Sequence, residues 1–148
     1  MSATDDQDLE LAALRLLADR EHSRQELRRK LKARATQPGQ LEQLLDTLAE
    51  KGAQSDRRYT QEFIASRRRR GFGPVRIRME LTERGVSKAL VDDCLDPDNA
   101  LWDQILLETE KSKFGGKPPD GFSEWAKRAR FLEYRGFAPA HIRRLLRE

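Results

Sequence analysis

The chain has 148 residues, of which 36% are charged and 37% hydrophobic, and it carries a formal net charge of +4. Charged residues make up about 25% of an ordinary globular domain, so the composition argues against a thick central core and favours a thin core shared between small neighbouring modules. A single cysteine excludes an internal disulfide and suits a reducing cytoplasm, and no apolar run approaches the ~20 residues that span a bilayer.

The charge lies in alternating bands along the chain. Counting Lys and Arg against Asp and Glu gives −2 for residues 1–56, +6 for 57–84, −6 for 85–110 and +6 for 111–148. Two basic bands around an acidic one favour partners that present both phosphate and basic protein surface.

Apolar residues recur at helical spacing along nearly the whole chain, and no run alternates with the period of a strand. The acidic residues 1–8 are expected to be flexible, with the first helical stripe beginning at Leu9. A capping box over Ser23–Glu26 starts a second helix, and a third ends near Gly52. These three helices form a predicted first module, residues 9–54.

Residues 55–96 are predicted to form a second three-helix module. Asp56 can cap its first helix. Gly73-Pro74 ends that helix and starts the next, because proline suits the first position of a helix. Gly85 is a C-terminal stop, and a short third helix follows.

Residues 97–148 are predicted to form the third module. A long helix precedes a Gly- and Pro-rich loop at 115–121, which is the best candidate hinge. Ser123 is expected to cap the following helix, and a last short helix ends the chain. The predicted fold class is therefore all-α, with about nine helices in tandem three-helix modules.

A nine-residue frame occurs three times, at residues 23–31, 73–81 and 138–146, with offsets of 50 and 65. On this alignment the third copy is imperfect, because the chain ends before another helix can follow it. The aligned apolar positions, predicted to be core, are Leu27 with Ile77 and Ile142, and Leu31 with Leu81 and Leu146. Repeats build extended binding surfaces more often than catalytic pockets.

Four consecutive arginines, residues 67–70, precede a Gly-Phe-Gly-Pro turn. Consecutive residues cover all sides of a helix, so the four cannot face one ligand, and Arg67 is expected to be half-buried beside a carboxylate. Arg70 aligns with Arg20 and Arg135, where a guanidinium either satisfies C-terminal carbonyls or binds a ligand. Arginine at this density favours phosphate or carboxylate recognition through bidentate hydrogen bonds.

Basic residues of the two positive bands form the predicted binding surface. They are Arg68, Arg69, Arg70, Arg76, Arg78 and Arg84 in the first band, and Lys111, Lys113, Arg128, Arg130, Arg135, Arg143 and Arg144 in the second. For the second band, a merely solvated helix face is the alternative. Phe114 and Trp125 lie among these charges and leave stacking on nucleic acid open, although core packing is the commoner role of such aromatics.

The sequence contains no convincing catalytic constellation. The two histidines are expected to be a turn filler (His22) and an exposed helical residue (His141), and Cys94 to be a small buried hydrophobe. Metal-ligand spacings, a phosphate-cradling glycine loop and a nucleophile elbow are all absent from the sequence. We therefore predict no catalytic, cofactor-binding or metal-binding residues, and a protein that is not an enzyme.

The motifs do resemble those of one known family. Arg69-Arg70-Gly71-Phe72-Gly73-Pro74, followed by Ile77-Arg78 and Leu81, and the stretch from Phe131-Leu132 through Arg135-Gly136-Phe137 to Ile142-Arg143 are similar to the RecX regulatory proteins, bacterial modulators of the RecA recombinase. The resemblance runs from about Leu9 to Leu146.

The resemblance implies an elongated, curved, right-handed helical repeat array that lies in the groove or at the end of a RecA–DNA filament. It implies inhibition of the ATPase, strand-exchange and coprotease activities of RecA, with effects on DNA repair, recombination and the SOS response. RecA and DNA are then the expected partners of a cytoplasmic, monomeric protein without a membrane segment. The alternative is a stand-alone basic helical module that binds single- or double-stranded DNA.

Overall fold

The computed structural model describes residues 3–147, which form nine α-helices and no strand. The helices are α1 (Ala3–Asp19), α2 (Arg24–Leu31), α3 (Gln40–Glu50), α4 (Asp56–Arg69), α5 (Pro74–Glu83), α6 (Lys88–Cys94), α7 (Leu101–Phe114), α8 (Gly121–Tyr134) and α9 (Pro139–Leu145). A short 3-10 turn, Lys32–Arg34, extends α2. The prediction of an all-α chain built from groups of three helices is confirmed. None of these helices is long and apolar enough to cross a membrane.

The N-terminal segment is helical further back than predicted. Helix α1 begins at Ala3, so the expectation of a flexible stretch over residues 1–8 is wrong where the structure describes it; residues 1 and 2 lie outside the described part. Acidic residues in the first turn complement the helix dipole. In addition, Gln40 Nε2 donates a 2.9 Å hydrogen bond to Asp6 Oδ1, which ties this turn to α3.

The helix caps follow the sequence at some ends and not at others. The capping box at Ser23 and Glu26 is present in both directions. Helix α4 is capped by Ser55, and the predicted cap Asp56 instead accepts a 2.8 Å hydrogen bond from the N–H of Arg24 in module 1. Helix α8 already begins two residues before Ser123. Asp56 therefore accepts a hydrogen bond from a main-chain N–H in the first turn of α2, a helix of another module.

The apolar side chains form two separate cores. The first belongs to α1, α2 and α3 alone and contains Leu27, Leu31 and Leu45. The second is continuous through α4 to α9 and runs from Tyr59 to Leu146. The expectation of a core shared between modules is thus confirmed for the second and third modules, whereas the first has a core of its own.

The third repeat copy needs a different register from the predicted one. Helix α5 is the middle helix of the second module, whereas α9 is the last helix of the third. The offset of 65 therefore aligns two helices that do not occupy equivalent positions in their modules. An offset of 51 aligns α5 and α6 with the C-terminal half of α8 and with α9. It matches buried positions throughout: Leu81 with Leu132, Val86 with Phe137, Val91 with Ile142 and Leu95 with Leu146. The third module therefore contains three helices, with α7 as its first helix.

The two module junctions differ in chemistry. Side chains dominate the first, where Ser23 Oγ donates to Arg84 O at 2.9 Å and Arg58 Nε donates to Glu21 Oε1 at 2.7 Å. The second is made by main chain. Gly73 N donates to Arg135 O at 2.8 Å, and Val75 N donates to the carbonyl oxygen of Gly136 at 2.9 Å. The turn before α5 and the turn after α8 are therefore in direct backbone contact.

Candidate functional site

The arginine run at the end of α4 spreads its side chains in different directions. Arg67 is half-buried, and its Nε lies 3.1 Å from Glu80 Oε1, as predicted. Its guanidinium is also 4.7 Å from the centre of the Phe63 ring. The remaining three arginines, Arg68–Arg70, reach the junction with the third module, where Arg69 and Arg70 are exposed.

Guanidinium groups surround the ring of Phe72, which is 9% exposed and lies in the turn after α4. Their distances to the ring centre are 4.3 Å for Arg135, 4.4 Å for Arg76, 5.8 Å for Arg67 and 6.0 Å for Arg70. A cation over an aromatic face is attracted by the ring quadrupole. The ring therefore attracts four cations that would otherwise repel one another. Arg67 is paired with Glu80, and we call the other three arginines, Arg70, Arg76 and Arg135, together with Phe72 the Phe72 cluster.

The electrostatics of the Phe72 cluster are those of an uncompensated positive site. Burial, together with the charges of Arg76 and Arg70, lowers the pKa of Arg135 below its usual value. Arg135 Nη2 donates to the main-chain oxygen of Arg70 at 2.6 Å, while its Nε is buried and has no hydrogen-bond partner among residues 3–147. The carbonyl-capping role foreseen for Arg135 is thus present, although the carbonyl belongs to the preceding module. The positive charge remains available to an anion.

A groove of about 490 Å³ opens beside the cluster, between the end of α4 and helices α7 and α8. Basic residues on its walls are Arg68, Arg69, Arg70, Lys113 and Arg135. Thr109 and Ser112 add hydroxyl groups, and Glu108 is the carboxylate of the lining. Several guanidinium forks facing one groove, with the Ser112 hydroxyl beside them, can donate hydrogen bonds to a phosphate or a carboxylate, whereas the Thr109 hydroxyl already donates to Ile105 O. The structure thus brings together five of the predicted binding residues, with Arg76 adjoining them.

Ion pairing separates this site from other predicted positions. Within residues 3–147, Arg68, Arg69, Arg70 and Arg76 form no ion pair. By contrast, Arg78 pairs with Asp92 at 2.6 Å and Arg144 with Asp103 at 2.7 Å, so a nearby carboxylate offsets each of those charges.

Four other predicted residues lie outside the groove. Arg84 stays beside its own helix, where Nη1 donates to Glu80 O and the guanidinium lies 5.0 Å from the Phe63 ring. Lys111 is exposed on α7, and Arg130 and Arg143 are exposed on α8 and α9. The structure therefore divides the predicted surface into one concentrated site and several scattered charges.

The assignment of Arg128 to the binding surface is wrong, because this side chain is buried. It is 3% exposed, and its Nη1 donates to Glu110 Oε1 and to Lys117 O, both at 2.6 Å, while Nη2 bonds to Glu124. Its place in the second basic band put Arg128 among the predicted surface lysines and arginines. The loop 115–121, however, folds back over α8, and Arg128 binds this candidate hinge through the main-chain oxygen of Lys117.

The histidines and aromatic residues show how packing decides exposure. His22 is 1% exposed, in agreement with a turn filler. His141 is largely buried, contrary to prediction, because α9 packs on α7 and brings Nε2 within 2.7 Å of Asp103 Oδ1. Trp125 and Phe114 are partly buried, the former against the larger core and the latter edge-on to Phe131 at 5.5 Å. Cys94 is only partly buried.

No group of three or more potential metal ligands occurs among residues 3–147. Sequence reasoning did not identify Thr109, Ser112 and Phe131 as lining residues, and it treated Phe72 only as part of a turn motif. Besides the arginine run, the similar turns that carry Arg70 and Arg135 were a signal for this site. They indicated a cation at each turn, although the offset of 51 does not make the two positions equivalent, and they could not show that the turns touch.

Comparisons with known proteins assign the family. Models of the first, second and third three-helix domains of RecX match residues 11–48, 55–95 and 103–146, respectively. The regulatory protein RecX of Pseudomonas fluorescens SBW25 is 46% identical over 134 residues, which cover 90% of this chain and 86% of that protein. The regulatory protein RecX of Ectopseudomonas mendocina ymp is 44% identical over 136 residues, covering 92% and 91%.

A solved structure shares the fold. The crystal structure of RecX from Lactobacillus salivarius superposes with a TM-score of 0.78 at 18% identity, and the match covers 97% of this chain and 96% of that one. The family models, the full-length relatives and this shared architecture agree, and the chain therefore belongs to the RecX family.

Proposed function

We propose that this protein is a negative regulator of the RecA recombinase. In this proposal it binds the RecA–DNA filament, in the groove or at an end, and inhibits the ATPase, strand-exchange and coprotease activities of RecA. It would thereby modulate DNA repair, recombination and the SOS response. It acts by binding and not by catalysis, as a monomer in the cytoplasm. Membership of a family of regulatory proteins supports this role.

The Phe72 cluster with its groove is the observation on which the proposal depends. A filament of protein on DNA offers phosphate and carboxylate groups, and unpaired guanidiniums are the side chains that bind both in bidentate fashion. Arg68, Arg69 and Arg70 reach this groove without an acidic partner among residues 3–147. We propose that they make the principal contact with the filament.

The test is the single-strand-dependent ATPase of a preformed RecA filament, titrated with this protein. We expect inhibition below one copy per RecA subunit, as end-binding or disassembly would produce. The triple variant Arg68→Glu, Arg69→Glu and Arg70→Glu should need at least tenfold more protein for the same inhibition. A variant with the same charge change in module 1, at the exposed Arg29, Lys32 and Arg34, is the matched control and should inhibit like wild type.

Either of two results would contradict the proposal. Wild-type protein without effect on the ATPase, even in excess and at low salt, would remove the regulatory role. Equal loss of inhibition in the two triple variants would show that net charge matters and that the groove does not.

The second candidate function is direct DNA binding by a stand-alone module, which the same unpaired arginines favour. Affinity would then come from counterion release, and each phosphate contact contributes about 0.7 to the log–log salt slope on single strands. The Arg68–Arg70 triple variant should accordingly lower that slope by roughly 2. DNA affinity at physiological salt that by itself accounts for the loss of ATPase would favour this candidate over a contact with RecA.

A further inference from the structure

A second groove lies between α8 and α9, at the end of the third module. Its volume is about 230 Å³, and its floor is apolar, formed by Trp125, Ala126, Ala129, Pro139 and Ile142. None of its lining residues belongs to the arginine groove at the junction with the second module. It is therefore a distinct feature of the surface.

The repeat shows what occupies the equivalent place in the other two modules. In module 1, Arg28 of α2 pairs with Glu42 of α3, with Nη2 and Oε2 3.1 Å apart. Fifty residues later, Arg78 of α5 pairs with Asp92 of α6. An ion pair thus bridges the second and third helices at the same place in both modules.

The third module lacks this bridge. With the offset of 51, its equivalent residues are Ala129 and Arg143. A methyl group replaces the arginine stem, and a cation replaces the carboxylate. Arg143 forms no ion pair within residues 3–147. This place is therefore apolar where the other two modules have an ion pair, and at its edge lies a cation that forms no ion pair within the described residues.

Neighbouring side chains extend the surface and fix its shape. Phe122 is 65% exposed, and its ring stacks on that of Trp125 with centres 5.9 Å apart and planes 23° apart. Trp125 Nε1 donates a 2.6 Å hydrogen bond to Leu146 O, which fixes the indole against the end of α9. Arg130 lines the same groove as Arg143, and Glu133 is the carboxylate that the described residues contribute to its lining.

We propose that this groove binds a short segment of a partner protein that combines an apolar side chain with a carboxylate. The apolar side chain lies over Ala129, against Trp125 and Ile142, and the carboxylate pairs with Arg143. The two parts of the ligand supply what the ion pair supplies in the other modules. A groove with an alanine floor suits an aliphatic side chain better than the flat face of a nucleic-acid base, so we favour protein over nucleic acid.

The test uses the full-length protein and a displayed library of random 12-residue peptides, without RecA, so its result is independent of the proposed function. We expect enrichment of peptides in which an aliphatic or aromatic residue lies within one helical turn of Asp or Glu. The decisive variant is Ala129→Arg with Arg143→Asp, which rebuilds the ion pair of the second module. It should bind the enriched peptides at least tenfold more weakly in fluorescence anisotropy.

Two further variants keep the result interpretable. Arg147→Gln changes the net charge by the same amount at an exposed position outside the groove, and it should bind like wild type. Arg143→Gln removes only the cation; since this side chain is exposed, folding should be unaffected while binding of acidic peptides weakens severalfold. Circular dichroism verifies the fold of each variant.

Three outcomes would overturn the proposal. Enriched peptides without carboxylates would remove the role of Arg143. Equal binding by wild type and both groove variants would place the peptides elsewhere. Displacement of the peptides by a 12-nucleotide oligothymidine would identify a nucleic-acid site instead.

Discussion

Substitution of Gly136 by alanine should destabilise the joined second and third modules by about 2–4 kcal/mol, the sum of a strained backbone and an overpacked contact. Gly136 has a φ of +105°, which side chains rarely adopt, and an added Cβ would overlap the Cβ of Arg76 and come within 2.9 Å of its nitrogen. The backbone of α5 cannot retreat without losing the Val75 N to Gly136 O hydrogen bond. Both penalties therefore act together.

Two other glycines separate these penalties. Gly115 has a φ of +85° with nothing within 4 Å of an added Cβ, so Gly115→Ala should cost about 1 kcal/mol, the left-handed strain less the entropy lost by the unfolded chain. Gly73 has an ordinary φ of −93°, but its Cβ would lie 2.5 Å from Gly136 O. Gly73→Ala should cost about 1–3 kcal/mol through steric overlap alone.

Urea unfolding followed by tryptophan fluorescence measures these differences, because both tryptophans, Trp102 and Trp125, lie in the third module. The free energy of unfolding should fall most for Gly136→Ala, less for Gly73→Ala and least for Gly115→Ala. A Gly136→Ala protein no less stable than Gly115→Ala would refute the close contact between the two turns.

Two further predictions concern stability. Ile77→Ala should lower the free energy of unfolding by about 2–5 kcal/mol, because Ile77 is fully buried; Val75→Ala, at a 55% exposed position of the same helix, is the control, and a loss below 1 kcal/mol for Ile77→Ala would contradict its burial. Burial lowers the pKa of His22, whose Nδ1 donates to Arg20 O and whose Nε2 accepts from Lys30 Nζ. The unfolded chain then binds the proton of this imidazole more readily than the folded chain does. The contribution of His22 to the free energy of unfolding should therefore be fully present above about pH 6.5 and be lost as the pH falls below that value. His22→Gln should lose this dependence in urea unfolding by circular dichroism at pH 5.5 and 7.5; an unchanged slope would assign it to another group.

Periodicity and capping chemistry made much of the fold predictable. Helical spacing located the buried faces around Leu27, Ile77 and Leu81, because one side of each helix must face a core whatever lies opposite. Gly73-Pro74 and the Ser23 capping box marked helix starts through purely local hydrogen bonding. The predicted register of the third module was wrong, because it depends on packing and not on local sequence. The frame at Ala138 resembles the frame at Gly73 locally, and only packing distinguishes a middle helix from a last one.

Charged residues were harder to place than apolar ones. Arg128 and Arg130 are two positions apart in the same basic helix, yet one is buried in an ion cluster and the other is exposed. The path of the loop 115–121 causes this difference in exposure, because it places Lys117 O against α8. Pairing of Arg78 with Asp92 likewise depends on the angle between α5 and α6. Sequence could indicate a basic surface, but contacts between helices, within a module as well as between modules, decided which charges remain unpaired.

At the junction between the second and third modules, main-chain hydrogen bonds between the turns at Gly73 and Gly136 determine the orientation of the modules, whereas side chains determine what the surface can bind. Peptide groups, present whatever the side chains are, determine how the second module meets the third. Exposed side chains beside the contact, such as Arg69, can then be exchanged without changing the angle between the modules. A protein engineer could therefore change the surface charges at this junction while the two glycines keep the orientation of the modules constant. Natural mutations can change the same charges in the same way.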